Sequence, residues 1–520
     1  MKMEELTKGD GYKVPAAQHP FMRIGLEKLD DFHEDILDLE ATLADVVKLG
    51  GQDTEKKAAR VIKQLRSFEP SVTMIGQIKS GKTSLVNAMI GRPELLPADV
   101  NPWTSVVTSL HLNAPLPADA PTATFQFFSQ GEWDHLVENG GRIGELSARA
   151  GADEELEKVR QQIAEMREKT KTRLGRKFEL LLGQKHNYAE LTDDLVQRYV
   201  CMGDDFEDME EEDQQGQFAD ITKSADLYLK APSIPMPLCL RDTPGVNDTF
   251  MMREQITINA LRDSRICVVV LSAHQALSSM DMGLIRLISN VKAREVVIFV
   301  NRIDELSNPA EQVPEIRDSI LQTLADHNGP ENPQLIFGSA YWANIALSEN
   351  LDDIVADSAA AMFNWAEASL DAETAGMETN ELVWHLSGVP QLYRALSERI
   401  SEGPGTEILA ASRKRALNLV GGVRASNAMV SMRLDGDQVN VMPKVEVMAH
   451  LDKLEKDSLK FLNDRLDIVF QQFGSRGDQS HKRFLDRALE SLLQHLETNG
   501  EDEVWQYSPD GLRMLLRTSY

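Results

Sequence analysis

The sequence predicts an α/β fold with a mainly parallel sheet, joined to a helical bundle that is built from both ends of the chain. Between residues 70 and 402, short apolar runs that end in glycine, aspartate or asparagine alternate with helical patterns. On either side of this region, leucines and other apolar residues repeat at spacings of three and four. The alternation is typical of βα units, and the 3-4 spacing is typical of helices that bury one stripe.

The first unit of the α/β region is a strand that leads into a glycine-containing loop. The apolar run 72–75 is followed by the loop GQIKSGKT, residues 76–83, and then by a helical pattern at 85–90. Backbone N–H groups in such a loop surround phosphates, its lysine neutralises them and its threonine hydroxyl binds Mg²⁺. We expect these residues to bind a nucleoside triphosphate: Gly76, Gln77, Ile78, Lys79, Ser80, Gly81, Lys82, Thr83 and Ser84.

The second motif is DTPG at residues 242–245, which follows the apolar run 236–240. An aspartate at a strand end can hold Mg²⁺ through water, and a glycine amide at this place can sense the γ-phosphate. Proline followed by glycine is also common in ordinary turns, so the motif gains its weight from lying downstream of the phosphate loop. We expect Asp242 to support the metal and Gly245 to act in catalysis.

The third motif follows two more apolar runs and reads NRID at residues 301–304. It resembles the N/T-K-x-D motif that recognises guanine in Ras-like GTPases, with Arg302 in place of the usual lysine. The resemblance implies that Asp304, together with Asn301, reads guanine. A carboxylate there accepts hydrogen bonds from guanine N1–H and N2–H₂, and adenine lacks these donors. The exchange of lysine for arginine is a mild change if only the aliphatic stem packs on the base.

The apolar runs 266–271, 296–300 and 334–337 complete the predicted strands of this region. The last of them leads into a Gly-Ser-Ala sequence that is similar to the loop behind the base in Ras-like GTPases. We therefore expect Ser339 and Ala340 to contact the nucleotide.

A threonine between the first two motifs completes the expected metal site. Residues 101–108 read NPWTSVVT, and a threonine in such a loop can close over Mg²⁺ and the γ-phosphate when nucleotide binds. Thr104 is our candidate because it follows the phosphate-loop helix and a Leu-Pro step. Thr108 is the competitor, but its pattern predicts an exposed strand residue. The expected metal ligands are therefore Thr83, Thr104 and Asp242, with Mg²⁺ as the cofactor.

Together these motifs resemble those of the dynamin superfamily of large GTPases, especially its bacterial members. The match covers residues 70–400. Three features favour dynamins: the L-P-x(6)-T-x(7)-L spacing around Thr104, the 137 residues between Thr104 and Asp242, and the heptad-patterned helices on both sides. The resemblance implies hydrolysis of GTP to GDP, with Lys82 and Thr104 as catalytic residues. It also implies homodimers or larger homo-oligomers through the GTPase domain, peripheral membrane contact through the bundle, and membrane remodelling.

Two positions depart from related GTPases. Val246 follows DTPG, where Ras-like enzymes carry a catalytic glutamine nearby, and a valine cannot orient water. Lys79 stands where dynamins usually have serine or asparagine, which helps to position a monovalent cation or the attacking water. Either the Lys79 ammonium replaces that cation as a catalytic group, or it points to solvent and the enzyme is slow.

Composition excludes several classes of protein. The net charge is −27, from 55 Lys and Arg against 82 Asp and Glu, whereas a nucleic-acid surface needs clustered basic residues. We therefore expect no nucleic-acid partner. No apolar run is long enough for a membrane span, residues 1–20 do not resemble a signal peptide, and the three cysteines form no disulfide or metal pattern. We expect a cytoplasmic protein, with the inner face of the membrane as the place of any peripheral contact.

The expected domains are a flexible tail at 1–20, bundle helices at 21–69, a dynamin-type GTPase domain at 70–402 with a helical insertion at about 140–232, and C-terminal bundle or stalk helices at 406–520. Apolar spacing between residues 29 and 46 predicts a helix that ends at Gly50, and a second helix ends before Pro70. Seams in 459–473 and 485–496 predict three or four C-terminal helices that pack on this pair. A helical cap on the nucleotide domain is the alternative.

Three other functions are compatible with the motifs. One is a membrane ATPase of the EH-domain type, which belongs to the same superfamily but binds adenine. Another is a ribosome-associated Era-like GTPase, although no segment here forms the basic RNA-binding module of such proteins. The third is a nucleotide-dependent scaffold without hydrolysis, in which Lys79 and Val246 mark lost catalysis.

Overall fold

The computed structural model describes residues 19–96, 106–117, 119–132, 174–175, 178–200, 216–219, 221–245, 264–274, 281–282, 285, 295–326, 330, 333–348, 350–370, 374, 376–434 and 444–499. Side chains are described in these ranges except at 426–448 and 497–499. Thr104 and Val246 lie outside the described residues. The chain divides into two compact units, residues 1–425 and 426–520, and each is considered by itself.

The strands of the first unit form one sheet. Within the described residues they span Ser71–Gly76 (β1), Val107–Leu112 (β2), Ala123–Phe127 (β3), Lys185–Tyr188 (β4), Thr222–Leu229 (β5), Leu238–Asp242 (β6), Ile266–Ser272 (β7), Glu295–Asn301 (β8) and Gln334–Phe337 (β9). Their order is β4-β3-β5-β2-β6-β1-β7-β8-β9. Strands β6, β1, β7, β8 and β9 are parallel to one another, as are β2 and β5. The pairs β2–β6, β3–β5 and β3–β4 are antiparallel. The predicted α/β fold with a mainly parallel sheet is confirmed.

The described helices are Glu27–Leu49 (α1), Gln52–Arg66 (α2), Lys82–Ile90 (α3), Phe178–Leu181 (α4), Asp193–Val200 (α5), Pro309–Asp326 (α6), Ala340–Ser348 (α7), Ala356–Ser369 (α8), Thr379–Leu386 (α9), Val389–Ile400 (α10), Thr406–Leu434 (α11) and Lys444–Asn499 (α12). Short 3-10 turns cover Pro20–Arg23, Ile303–Glu305 and Leu351–Asp353. Between α10 and α11 the chain bends at Ser401–Gly405, where Gly403 departs from helical geometry.

Two expectations for the sheet were wrong. The segment predicted as a helical insertion contains strands β4 and β5 as well as helices α4 and α5. In β5, buried Ala225, Leu227 and Leu229 alternate with less buried residues, which is the period of a strand. Thr108 is also fully buried and not exposed, because β2 lies between β5 and β6 inside the sheet.

A helical layer from both chain ends packs beside the sheet. The predicted seam of α1 is buried throughout: Leu29, Phe32, Ile36, Leu39, Leu43 and Val46. It packs on α2 and α10, and the Asp35 carboxylate accepts a hydrogen bond from Arg413 of α11 at 3.0 Å. Each fully buried side chain of this kind stabilises the fold by about 1.5–3 kcal/mol. The bundle therefore has the predicted origin in both ends of the chain.

The described part of the second unit is dominated by α12. The two predicted seams lie on this one continuous helix, whereas separate helices were expected. Its apolar side chains are largely exposed, with Leu466 at 43% and Phe473 at 77%. Among the described residues, no helix combines the length and the apolar character that crossing a membrane requires.

Candidate functional site

The predicted phosphate loop lies where parallel strands end side by side. The loop connects the end of β1 to the start of α3, beside the ends of β7 and β8. Gly81 precedes α3 with φ +83°, a left-handed conformation that glycine adopts without steric cost. The first N–H groups of α3 therefore face the loop, and a helix N-terminus favours bound anions.

Lys82 places a buried positive charge inside this loop. Its side chain is 6% exposed, and its Nζ donates to the carbonyl oxygens of Gly76 at 3.1 Å and Gln77 at 2.8 Å. Loop carbonyls hold the ammonium in place, so the cation is positioned before any ligand arrives. A phosphate that enters the loop would meet a fixed charge that costs little reorganisation.

Thr83 and Asp242 form a pair suited to a hard cation. The Thr83 hydroxyl donates to Asp242 Oδ2 at 2.8 Å. Burial raises the pKa of Asp242, although the charge of Lys82 and the hydrogen bond from Thr83 oppose the shift. Within the described part of the chain, the buried Oδ1 has no hydrogen-bond partner. A buried oxygen without a partner, next to a hydroxyl, fits the oxygen coordination that Mg²⁺ prefers.

The DTPG motif lies directly against the phosphate loop. The Thr243 hydroxyl donates to the Met74 carbonyl of β1 at 2.7 Å. A Cβ at Gly245 would lie 2.8 Å from the Ile78 backbone nitrogen, so only glycine allows this approach. The predicted phosphate-sensing residue and the loop are therefore in contact.

The predicted base-recognition residues meet at the other end of the loop. Asp304 is 8% exposed, and burial raises its pKa while a hydrogen bond from Ser339 opposes the rise. Asn301 Nδ2 donates to the Ser80 carbonyl at 2.8 Å, and the Ala340 N–H donates to Asn301 Oδ1 at 2.9 Å. Asn301 thus joins the phosphate loop to the loop after β9, and Asp304 is the carboxylate of this cluster.

Arg302 and Lys79 are in contact through the backbone. Both residues have positive φ, at 71° and 62°. The Arg302 guanidinium donates to the Lys79 carbonyl at 2.8 Å and binds Glu305, while the Lys79 side chain is exposed. Arginine at this position therefore supports the phosphate loop with its charged end. Non-glycine residues in this conformation are uncommon and cluster at functional sites.

Sequence reasoning missed two residues that support the site. Asp281, in the segment after β7, accepts a hydrogen bond from the Gln77 side chain. Asn344 of α7 donates to the Ser84 carbonyl at 3.0 Å. Neither residue belongs to a motif, and only the folded chain brings them to the loop.

Comparisons with known proteins agree with this fold. Residues 72–304 match the family model described as the Dynamin family. Dynamin-like protein 1 of Campylobacter jejuni subsp. jejuni serotype O:23/36 (strain 81-176) is 19% identical over 302 residues, which are 57% of this chain and 36% of that protein. The chain therefore spans little more than a third of this relative.

Solved structures give the same result for the architecture. Two structures of an oligomerised bacterial dynamin pair, described as a mechanism for long-range sensing and tethering of membranes, superpose with TM-scores of 0.53 and 0.52. Each is 16% identical, and the match covers 94% of this chain and 59% of theirs. At this identity the likeness shows the fold.

Proposed function

We propose that this chain is a GTPase of the dynamin superfamily that hydrolyses GTP to GDP and phosphate with Mg²⁺, a proposal supported by the match of residues 72–304 to the Dynamin family model. The observation that carries the proposal is the hydrogen bond of 2.8 Å from the Thr83 hydroxyl to the buried Asp242 carboxylate, next to the loop that holds Lys82. It combines a cation site and a phosphate site, the two requirements of phosphoryl transfer. The carboxylate of Asp304 supplies the preference for guanine.

Each residue of the site has a proposed task. Residues 76–84 would surround the phosphates, and the Lys82 ammonium, held by the loop carbonyls, would also donate to the β- and γ-phosphate oxygens. Thr83 and Thr104 would hold Mg²⁺ with Asp242 behind them, and the bound ion would neutralise charge on the phosphates. The Gly245 amide donates to the γ-phosphate. Ser339 and Ala340 back the base, and Asn301 and Arg302 hold these loops on the phosphate loop.

Catalysis needs a group that this chain does not carry in the usual place beside DTPG. We propose that it comes from Lys79, from a second GTPase domain, or from both. Lys79 is exposed and its backbone is fixed by Arg302, so its ammonium can reach the mouth of the site. If turnover depends on K⁺ or Na⁺ and Lys79→Ser changes nothing, the role of Lys79 is refuted.

We further propose homodimers or larger oligomers through the GTPase domain and peripheral membrane contact through the helical bundle. The support is the match of residues 72–304 to the Dynamin family model and the likeness to an oligomerised dynamin pair whose description includes the tethering of membranes. The net charge of −27 opposes adhesion of the whole molecule to anionic lipid. The protein would then be cytoplasmic and reach the inner face of the membrane through a limited surface. Sedimentation with and without a transition-state analogue of GTP tests the dimer.

Turnover of GTP and ATP, measured side by side with and without Mg²⁺, tests the enzymatic proposal. We expect hydrolysis of GTP in preference to ATP, and loss of activity when EDTA removes the metal. Thr83→Ala should lower kcat by about 100-fold because it removes a metal ligand, while Thr83→Ser keeps the hydroxyl and most of the activity. Preference for ATP would favour the EH-type ATPase, and nucleotide binding without turnover would favour the scaffold.

A further inference from the structure

A buried hydrogen bond ties the phosphate loop to a distant part of the chain. The Gln77 side chain is 9% exposed, and its Nε2 donates to Oδ2 of Asp281, a residue 204 positions further along the chain. Asp281 is itself 2% exposed, and its neighbours Met282 and Ile285 are buried. A carboxyl group held in the core is a rigid hydrogen-bond acceptor.

The backbone of Gln77 does a second task in the same loop. Its carbonyl oxygen accepts hydrogen bonds from the Lys82 ammonium at 2.8 Å and from the Ser80 N–H at 3.3 Å. The orientation of the Gln77 peptide therefore decides where the ammonium of Lys82 lies. A side chain that is fixed at its far end limits rotation of its own peptide group.

The strand arrangement explains why this anchor comes from the segment after β7. Gly76, at the end of β1, pairs in register with Val270 of β7. The end of β7 therefore lies beside the start of the phosphate loop, and Asp281 follows β7 in the sequence. Strand β6, which ends in Asp242, lies on the other side of β1.

From these contacts we infer that Asp281 is a positioning residue: through the Gln77 amide it fixes the carbonyl that holds Lys82, and it thereby sets the affinity of the loop for nucleotide phosphates. This inference rests on the proposed function for its ligand, and on the hydrogen bonds alone for its geometry. Asp281 does not touch the nucleotide in this account.

Five proteins test the inference: wild type, Gln77→Ala, Asp281→Ala, the double variant and Asp281→Asn. We expect each alanine variant to weaken binding of a fluorescent GDP analogue about tenfold, because each removes the same hydrogen bond. The double variant should bind no worse than the weaker single variant, since the two residues act as one unit. Asp281→Asn keeps an oxygen acceptor and should recover most of the affinity.

A second measurement separates this inference from the proposed function. Hydrogen exchange of backbone amides in residues 76–83 of the nucleotide-free protein should be faster in both alanine variants. Thr222→Val is the matched control, because Thr222 at the start of β5 is also buried and the change removes the hydrogen bond that its hydroxyl donates to the Phe218 carbonyl. It should leave loop exchange and GDP affinity unchanged.

The outcomes are distinct. If the wild type binds no guanine nucleotide but loop exchange still accelerates in the variants, the proposed function fails and the positioning role stands. If exchange and affinity in the alanine variants equal those of the wild type, the inference is overturned. Additive losses of affinity in the double variant would also overturn it. Equal losses of affinity in Asp281→Asn and Asp281→Ala, with a lowered melting temperature in both, would overturn it too and indicate a merely structural residue.

Discussion

At the residue scale, the site is held together by side chains that bind loop backbones. Asn301 links the Ser80 carbonyl to the Ala340 N–H, and Arg302 holds the Lys79 carbonyl. Each of these loops would be less constrained without the others. The residues proposed to recognise the base therefore also constrain the loop proposed to bind phosphate, and we expect a substitution in one motif to alter the other.

The motifs predicted which residues meet, but not how they meet. The identity of Asp304 follows from its place after β8, since strand ends of a parallel sheet converge at one edge. The contact of Arg302 with Lys79 depends on two positive φ angles, and these are set by the packed loops. Asp281 has no motif at all, so its hydrogen bond to Gln77 was beyond sequence reasoning.

Asp304→Asn should exchange guanine for xanthine as the preferred base. We expect GDP to bind about 100-fold more weakly, because the amide presents a donor where guanine also presents donors. Xanthine carries a carbonyl oxygen at C2, so XDP should bind the variant better than the wild type. Titration with fluorescent analogues measures both affinities.

The control for this exchange is Asp318→Asn on the exposed side of α6, which should bind GDP like the wild type. Equal GDP affinity in Asp304→Asn and the wild type would show that another group reads the base.

His111 of β2 should make stability depend on pH in the alkaline range. Its Nδ1 lies 2.9 Å from Glu69 and its Nε2 lies 3.5 Å from Asp226, while its ring stacks on Tyr228 and its backbone pairs with Cys239. Burial opposes protonation, but the hydrogen bonds that the ring donates to Asp226 and Glu69 outweigh it and raise the pKa to about 9. Because the folded pKa lies above the ordinary value of 6.5, the protonated ring stabilises the fold fully below pH 6.5 and this stabilisation is lost as pH rises through about 9.

We expect His111→Gln to cost about 1–2 kcal/mol at pH 6 after allowance for screening by solvent, and close to nothing at pH 10. Denaturant unfolding of both proteins between these pH values measures the difference. A constant difference across the range would contradict the ion-pair account.

At the element scale, apolar runs predicted strands β1, β6, β7, β8 and β9 correctly, and apolar spacing predicted the first helix. Helix α1 ends at Leu49, next to the predicted stop at Gly50, and its whole seam is buried. Apolar strands such as β7 and β8 are continuous runs because helices cover both faces of a parallel sheet. Strand β5 was missed because its alternation is short and lies in a strongly charged region, where the charge pattern favoured a helical interpretation.

Leu43→Ala should destabilise the bundle without changing the nucleotide site. Leu43 is fully buried between α1 and its neighbours, so the cavity should cost about 3 kcal/mol. Leu37→Ala on the same helix is the control, since that side chain is 50% exposed and should change stability by less than about 0.5 kcal/mol. Urea midpoints of the two variants give the comparison, and similar midpoints would refute the seam. GDP affinity should match the wild type in both.

At the scale of the whole molecule, every described site residue lies in the first unit, residues 1–425. The sequence predicted an α/β region with helices on both sides, and it predicted that the N-terminal helices pack with C-terminal ones. It did not predict that both C-terminal seams lie on one helix. Heptad spacing reports which face of a helix is apolar, but a helix of any length satisfies it, so spacing alone does not fix where one helix ends.

A chain that ends at residue 425 should keep the nucleotide site. Because the site and its supporting strands lie within this unit, we expect its GDP affinity to agree with that of the full chain within about threefold. Calorimetric titration of both proteins measures it. Loss of binding in a truncated chain that retains its circular dichroism would show that the second unit contributes to the site.

The most direct test of the central claim is steady-state GTP turnover per molecule, with Mg²⁺, across about a hundredfold range of protein concentration. The account predicts measurable hydrolysis whose specific rate climbs with concentration, because pairing of GTPase domains supplies what the chain lacks beside DTPG. Absence of GTP turnover at every concentration, in protein that binds GDP, would contradict it.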